Sequence, residues 1–338
     1  MRRHCRLLAL ALISAVFALA IAAGAFGDAA RANEACPTLN DTAACHIVNS
    51  TCVPRTSDAV WLVSSRCLGC PDMQSLPPRL EVWKYDLDRK QWNQSSLEIF
   101  LAAQNPEKTT IVWVHGNQTD MDKSRWQGLG VYHQLTNCVS GERAINFVIF
   151  SWPATRSGGL REDAREKAAR TNSDGFYLAW LVNQIDHGVK VNFVGFSFGA
   201  RIVTGALHLL GGGMLCGRAL PQPIEPRAPM QAVLLAAAVN NNWLAVGRPH
   251  GQALFAVDRM LALNNGCDRA LKHYRALDPC TKPEALGYTG AVGPLGPNRD
   301  KLRQTNLCCV IGKEHNWENY FYTPSVVARM RSYLGLVD

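Results

Sequence analysis

The chain has 338 residues, of which 47% are hydrophobic, and a formal net charge of +8. This length and apolar content suit one catalytic-sized domain plus a small N-terminal piece. The basic residues are scattered and do not interleave with aromatic side chains in a stripe, so the composition argues against a nucleic-acid partner and indicates a solvated basic surface.

Residues 1–32 have the pattern of an export signal. Three arginines precede an uncharged apolar run at residues 7–26, and the small-x-small sequence at residues 30–32 offers a cleavage site. An apolar run of about 20 residues can also span a bilayer, so an uncleaved membrane tether through residues 7–26 is the alternative. In both cases we expect the rest of the chain to be exported to the periplasm, the cell envelope or the extracellular space.

The twelve cysteines are typical of an exported protein, in which thiols oxidise to disulfides. Cys5 lies in the signal, and the odd number that remains leaves at least one thiol without an intramolecular partner. Residues 33–80 combine many of these cysteines with little periodicity, which predicts a Cys-rich lead-in segment with one strand at residues 59–64. Within it, residues 67–70 have CxxC spacing. Because no second CxxC or His pair completes a metal site, we interpret this motif as a structural disulfide.

Residues 81–338 are predicted to form the catalytic domain. Strands are predicted at residues 80–85, 110–114, 145–150, 189–194, 232–237, 259–263 and 307–311, and helices just after residue 95 and at residues 163–185, 198–210 and 324–334. Several strands are continuous apolar runs, which are typical of strands buried on both faces. Their alternation with helices predicts an α/β fold with a doubly wound, mostly parallel sheet. The Gly- and Pro-rich residues 281–306 are predicted to form a loop.

The sequence Gly195-Phe196-Ser197-Phe198-Gly199 matches the motif G-x-S-x-G. It ends a predicted buried strand and opens an apolar helix, which is the context of a nucleophile elbow. The glycines allow a tight turn, and the helix N-terminus favours a developing oxyanion. Ser197 is therefore the candidate nucleophile. The alternative is an ordinary Gly-rich turn in which the serine only caps the helix.

A second motif, His115-Gly116-Asn117, follows the strand at residues 110–114. The backbone N–H groups of Asn117 and Phe198 are the candidate oxyanion hole. His115 is a candidate substrate-binding residue. The alternative for His115 is a ring that orders the loop, because a base before the nucleophile would break the order Ser, Asp, His.

That order directs the search for the acid and the base towards the C-terminus. Asp268 follows the strand at residues 259–263 and is the preferred acid, with Asp278 as the alternative. His315 follows the last predicted strand and is the candidate base. A serine alone is a weak nucleophile, so all three side chains must converge. This chemistry needs neither a metal nor an organic cofactor.

The blocks at residues 114–117, 150–153 (Phe-Ser-Trp-Pro) and 195–201 together resemble the α/β-hydrolase superfamily, and more narrowly a bacterial branch of uncharacterised exported serine hydrolases. The resemblance covers roughly residues 108–335. It implies a triad of Ser197, Asp268 and His315, and it implies that Trp152 lines the substrate site. Packing of a loop is the alternative role for Trp152.

These observations predict hydrolysis of an ester, thioester or related acyl bond in a small-molecule or lipid-like substrate. An amidase or peptidase on the same triad is the first alternative. The second alternative is a non-catalytic binding or envelope protein on a hydrolase scaffold.

Overall fold

The computed structural model describes residues 55–71, 76–137, 139, 144–221 and 225–337. The predicted signal, its alternative role as a tether and most of the Cys-rich lead-in lie outside these residues. Within the described ranges, no helix has the length and hydropathy of a membrane span.

Nine strands form a single sheet in the described part of the chain. They are β1 (Ala59–Ser64), β2 (Glu81–Asp86), β3 (Gln91–Ser95), β4 (Thr109–Val114), β5 (Ile145–Ser151), β6 (Val191–Phe196), β7 (Gln231–Leu235), β8 (Arg259–Asn264) and β9 (Leu302–Asn306). Their order is β3-β2-β1-β5-β4-β6-β7-β8-β9. Every pair from β1 to β9 in this order is parallel, whereas β2 runs antiparallel to both β1 and β3.

Most of the helices lie in connections between strands, and the last three follow β9. The helices are α1 (Leu97–Ala102), α2 (Met121–Thr136), α3 (Leu160–Gln184), α4 (Phe198–Leu210), α5 (Arg269–Lys272), α6 (Leu286–Thr289), α7 (Cys308–Ile311), α8 (Trp317–Phe321) and α9 (Pro324–Leu334). Helix α2 connects β4 to β5, which lies on one side of β4 in the sheet. Helix α3 connects β5 to β6, which lies on the other side of β4, so the two connections run in opposite directions. Right-handed crossovers therefore place α2 and α3 on opposite faces. This is the predicted doubly wound, mostly parallel sheet, and the change of direction at β4 marks the edge where ligands usually bind.

The core lies at the centre of this sheet. All residues of β5 and β6 are buried, which explains their continuous apolar runs. Helix α4 is buried along its whole length because α3 packs across it, and its predicted limits are confirmed. The largest buried side chains include Trp61, Trp113 and Trp152.

The last strand lies earlier in the chain than predicted. Residues 307–311 form helix α7, while β9 lies inside the segment predicted to be a loop. The prediction failed because β9 pairs with β8 at the edge of the sheet, so most of its side chains are exposed and it has no apolar run. Leu307 and Ile311 are both buried and lie four residues apart, which is the spacing of one helical turn.

The predicted strand at residues 59–64 is confirmed as β1, but it belongs to the main sheet. It pairs with β5 in parallel register and is buried from Val60 onward. The sheet therefore begins inside the segment that sequence analysis assigned to the lead-in.

The prediction of a disulfide within the CxxC motif is wrong. Cys67 and Cys70 both carry free, exposed thiols. The turn is instead held by Arg170 of α3, whose guanidinium donates to the carbonyl oxygens of Leu68 (2.6 Å) and Gly69 (2.9 Å). Hydrogen bonds to the backbone stabilise this turn without a crosslink.

Candidate active site

Ser197 lies in the turn between β6 and α4, at the carboxyl edge of the sheet. Its backbone has φ +55° and ψ −119°, a conformation that residues other than glycine seldom adopt. The turn is held by β7 and the segment after it, because the Ser197 N–H donates to Leu235 (2.9 Å) and its carbonyl oxygen accepts from Ala238 (3.1 Å). A strained residue fixed in this way is characteristic of a functional site.

The two glycines of the motif are needed for close packing. A side chain at Gly199 would overlap the carbonyl oxygen of Val114, at the end of β4. A Cβ at Gly195 would lie 2.7 Å from the Cα of Ala200. The sequence G-x-S-x-G therefore allows α4 to begin against β4 and β6, which leaves the serine at the helix N-terminus as predicted.

The structure brings Ser197, His315 and Asp268 into one hydrogen-bonded chain. His315 Nε2 lies 2.9 Å from Ser197 Oγ, and His315 Nδ1 lies 2.6 Å from Asp268 Oδ2. Asp268 is fully buried and the His315 side chain is 22% exposed. A carboxylate facing Nδ1 favours the tautomer with its proton on that atom, so Nε2 is left as an acceptor for the serine hydroxyl.

The loops that carry the carboxylate and the imidazole are joined to each other. A disulfide links Cys267, which precedes the carboxylate, to Cys308 in α7. The side chain of Asn265 also donates to the carbonyl oxygen of Gly312 (2.8 Å). Asp268 additionally accepts the backbone N–H of Leu271 (2.9 Å) and so caps α5. These contacts hold the carboxylate and the imidazole in register although they follow different strands.

The two predicted oxyanion donors lie at the same edge. Phe198 is the first residue of α4, where backbone N–H groups have no partner within the helix. The loop before Asn117 packs against the nucleophile, since a Cβ at Gly116 would lie 3.2 Å from the Cβ of Ser197. Among the described residues, neither the Asn117 nor the Phe198 amide donates to a backbone acceptor. The cavity beside Ser197 is lined by Phe198 and not by Asn117, so the structure brings the Phe198 amide to the cavity and leaves Asn117 as a neighbour of the nucleophile.

His115 and Trp152 do not line the cavity beside Ser197, which corrects their interpretation as substrate-binding residues. Both are 0% exposed, and their rings stack with centroids 5.7 Å apart. His115 Nδ1 donates to the Gly116 carbonyl oxygen (2.9 Å), and Trp152 Nε1 donates to the His115 carbonyl oxygen (2.8 Å). Burial, assisted by the Arg66 guanidinium, lowers the pKa of His115 to about 3. These rings order the loop, which was the alternative for both.

Sequence analysis missed Arg66, a residue just after β1 that supports the same loop. Its guanidinium donates to Ser151 Oγ (2.7 Å) and to the carbonyl oxygen of Thr119 (2.8 Å). Burial lowers its pKa to about 10, so it remains a cation at neutral pH. Because β1 was assigned to the lead-in, the sequence carried no signal that this arginine would reach the site.

A cavity of about 370 Å³ opens beside Ser197 and His315. Its walls are mostly apolar and come from the starts of α3 and α4 and from the segment that follows β8. They include Leu160, Ala164, Phe198, Leu271, Tyr274 and Leu277. Two basic side chains, Arg161 and His273, complete the lining. In the described part of the chain, no group of three His, Cys, Asp or Glu side chains is arranged to hold a metal ion.

No protein-family model and no curated protein matches the chain. Its fold is similar to that of an acyl-protein thioesterase 2 from Zea mays, with 16% identity, a TM-score of 0.35, and coverage of 68% of this chain and 93% of the other. Lipase B from Aspergillus fumigatus shares 12% identity with a TM-score of 0.38, covering 69% of this chain and 55% of the lipase. The esterase RhEst1 from Rhodococcus sp. ECU1013 shares 12% identity with a TM-score of 0.35, covering 76% and 95%. These similarities are too low to indicate what the site does, so its chemistry has to be inferred from its own residues.

Proposed function

We propose that the protein is a serine hydrolase that cleaves an ester, thioester or related acyl bond. The observation that carries this proposal is the hydrogen-bonded chain from Asp268 through His315 to Ser197. The serine stands on a strained turn near two N–H groups that donate to no backbone acceptor among the described residues. A solvated surface serine needs none of these features, whereas acyl transfer needs all of them.

In the proposed reaction His315 Nε2 removes the proton of Ser197 as Oγ attacks the acyl carbonyl carbon. The N–H groups of Asn117 and Phe198 hold the oxyanion of the tetrahedral intermediate. His315 then returns the proton to the leaving alcohol or thiol, and an acyl-enzyme remains. His315 Nε2 then takes a proton from water as the water oxygen attacks the acyl carbon. The bond between that carbon and Ser197 Oγ breaks, His315 returns the proton to Oγ, and the carboxylic acid is released. Asp268 keeps its hydrogen bond to Nδ1 and stabilises the imidazolium.

The cavity supports an apolar acyl group as the bound part of the substrate. A volume of about 370 Å³ lies at the lower end of the range for small-molecule sites. Its apolar walls favour a hydrocarbon chain, whose burial contributes about 0.8 kcal/mol per methylene group. We therefore expect acyl esters of intermediate chain length to be better substrates than acetyl esters. A matched series of esters, thioesters and amides of one acyl group distinguishes an esterase from an amidase or peptidase.

We also propose that the protein is exported. The signal-like residues 1–32 support this, and so does the disulfide between Cys267 and Cys308, because disulfides persist in oxidising compartments. N-terminal sequencing of protein recovered from envelope and soluble exported fractions distinguishes a cleaved signal from a tether. The proposed domain organisation is accordingly a signal or tether, a Cys-rich lead-in, and a hydrolase domain that includes β1.

The test of the function is covalent labelling by a fluorophosphonate, which reacts with an activated serine. We expect the wild type to be labelled at Ser197 and the Ser197→Ala variant to be unlabelled. Ester hydrolysis in that variant should fall by a factor of the order of 10⁴ to 10⁶. Ser96→Ala, which removes the cap of α1, is the matched control and should keep full labelling.

Two results would contradict the proposal. Hydrolysis by Ser197→Ala at the wild-type rate would exclude Ser197 as the nucleophile. A folded wild-type protein that neither reacts with the probe nor hydrolyses any ester would be the non-catalytic scaffold.

A further inference from the structure

A second carboxylate, Asp163, lies beneath the loop that carries Asn117. It is 0% exposed and sits in the first turn of α3. One of its oxygens, Oδ2, accepts a hydrogen bond from Asn117 Nδ2 at 2.7 Å. The other, Oδ1, accepts from the backbone N–H of Ser157 at 2.8 Å. The carboxylate thus bridges the loops that follow the neighbouring strands β4 and β5.

A buried carboxylate costs free energy unless other groups compensate its charge. No basic side chain in the described part of the chain forms an ion pair with Asp163. Compensation comes instead from donated hydrogen bonds and from the N-terminal end of α3, where the helix dipole favours negative charge. Both terminal atoms of a carboxylate accept hydrogen bonds, so Asp163 can satisfy the Asn117 and Ser157 donors together, whereas an amide side chain has one acceptor atom.

We propose that Asp163 is a positioning residue that aims the backbone N–H of Asn117 at the oxyanion. The inference rests on the proposed function. Asp163 does not line the cavity. Its hydrogen bond fixes the Asn117 side chain. A fixed side chain restricts the backbone torsions of Asn117, and these set the direction of its N–H group. Trp152 holds the preceding part of the loop and Arg66 holds the following part, so the donor is fixed from three sides.

The geometry of a donor matters because its stabilisation of the oxyanion falls steeply when it is misaligned. Loss of a whole oxyanion donor costs about 10²- to 10³-fold in kcat. A donor that stays present but moves should cost less. We therefore expect Asp163→Asn to lower kcat by roughly 10- to 100-fold while KM changes by less than about twofold. An asparagine there cannot accept from both Asn117 and Ser157 with its two terminal atoms.

The experiment is a double-mutant cycle of Asp163→Asn with Asn117→Ala, a change that keeps the backbone N–H. If Asp163 acts through the Asn117 side chain, each single variant loses activity and the double variant loses little more than either one. Rates are divided by the number of active sites that a fluorophosphonate titrates, so an unfolded fraction does not count. A second readout is the inhibition constant of a trifluoromethyl ketone, whose adduct with the serine carries an oxyanion. Its affinity should fall in parallel with kcat/KM.

Asp58→Asn is the matched control. Asp58 is also buried and accepts from the Tyr132 hydroxyl (3.0 Å) and the Ile145 N–H (2.9 Å). Unlike Asp163 it also pairs with Arg55 (2.6 Å), and it lies just before β1, at the opposite edge of the sheet. Its substitution should lower the melting temperature and leave kcat and ketone affinity per active site unchanged.

Three outcomes would overturn the inference. In the first, Asp163→Asn lowers only the melting temperature, as the control does, which would make the residue merely structural. In the second, the losses of the two single variants multiply in the double variant. In the third, the wild type itself fails to react with the fluorophosphonate, in which case the proposed function fails and this inference fails with it.

Discussion

Two histidines lie at the carboxyl edge of the same sheet, and their surroundings give them opposite properties. His115 follows β4, is fully buried, and faces the guanidinium of Arg66. His315 lies beyond β9, is partly exposed, and faces the carboxylate of Asp268. A cation beside a buried ring keeps that ring neutral, whereas a carboxylate beside a ring stabilises the imidazolium. Of the two rings, His315 has the partners that a general base needs, with a carboxylate at Nδ1 and the serine hydroxyl at Nε2.

Replacing each ring in turn tests the different roles of the two histidines. His315→Gln should lower turnover by a factor of about 10⁴ or more, because no other group can take the serine proton. His115→Gln should keep turnover within roughly tenfold and lower the free energy of unfolding by about 1 to 3 kcal/mol, as expected for disrupted buried hydrogen bonds. Ester hydrolysis and urea unfolding measured on both variants provide the check. A reversed pattern would assign the base to His115.

The carboxylate of Asp268 distinguishes the surroundings of His315 from those of His115, and its role can also be tested by substitution. Asp268→Asn should preserve the fold and cut turnover by up to about 10⁴-fold, because it favours the wrong tautomer of His315. Asp278→Asn is the matched control and should be nearly silent. Asp278 lies on a surface turn, where a hydrogen bond from Thr281 lowers its pKa, and it has no contact with the imidazole. Steady-state kinetics of both variants provide the measurement. An inactive Asp278 variant would show that the acid is misassigned.

The disulfide between Cys267 and Cys308 fixes the His315 side of the site, and the His115 side has no such crosslink among the described residues. It closes a loop with a sequence separation of 41, and a loop of that size contributes about 4 kcal/mol in the chain-entropy account. A reductant should therefore lower the melting temperature of the wild type. Replacing both cysteines by alanine should cause a similar decrease and a loss of activity below about tenfold, because hydrogen bonds still join the two loops.

The double cysteine variant also supplies the control for the reductant. Any further decrease in its melting temperature on reduction reports the other cysteines. An identical melting curve for the wild type and the double variant, both without reductant, would show that this crosslink does not stabilise the fold.

The last prediction concerns the free energy of unfolding, which should depend on pH because two histidines are buried. Burial lowers the pKa of His115 to about 3 and that of His250 well below its ordinary value. Between about pH 3 and 6.5 for His115, and at pH values below about 6.5 for His250, the unfolded chain binds protons that the folded chain does not. Stability should therefore be greatest above pH 6.5 and fall as the pH decreases, by up to about 1.4 kcal/mol per pH unit for each histidine.

Urea unfolding at pH 7.5 and at pH 5 measures this slope. A His250→Asn variant should be less stable at pH 7.5 but should show a shallower loss at pH 5. Replacing the exposed His273 by glutamine should leave the slope as it is in the parent protein. A slope that is unaffected by His250→Asn would mean that His250 does not remain neutral in the fold.

Much of the fold could be predicted because the central strands and α4 are buried on all sides. Strand β5 and helix α4 need apolar residues at nearly every position, so their sequences carry a strong local signal. Strand β9 is an edge strand with exposed side chains, and its sequence carries almost none. Residues 307–311 were predicted to be a strand for a different reason. A short apolar run such as the one that contains Leu307 and Ile311 does not distinguish a strand from a helical turn.

The sequence by itself determined the candidate nucleophile and its surroundings, since the glycines around Ser197 and the strand and helix that flank it are all local. It also determined the order in which Asp268 and His315 were sought. Only the tertiary structure decided that Arg66 and Asp163 support the loop of Asn117, and that His115 and Trp152 are buried beneath it. The physical reason is that burial and hydrogen-bond partners are properties of segments far apart in the chain, which meet only when the parallel strands bring their carboxyl ends to one edge.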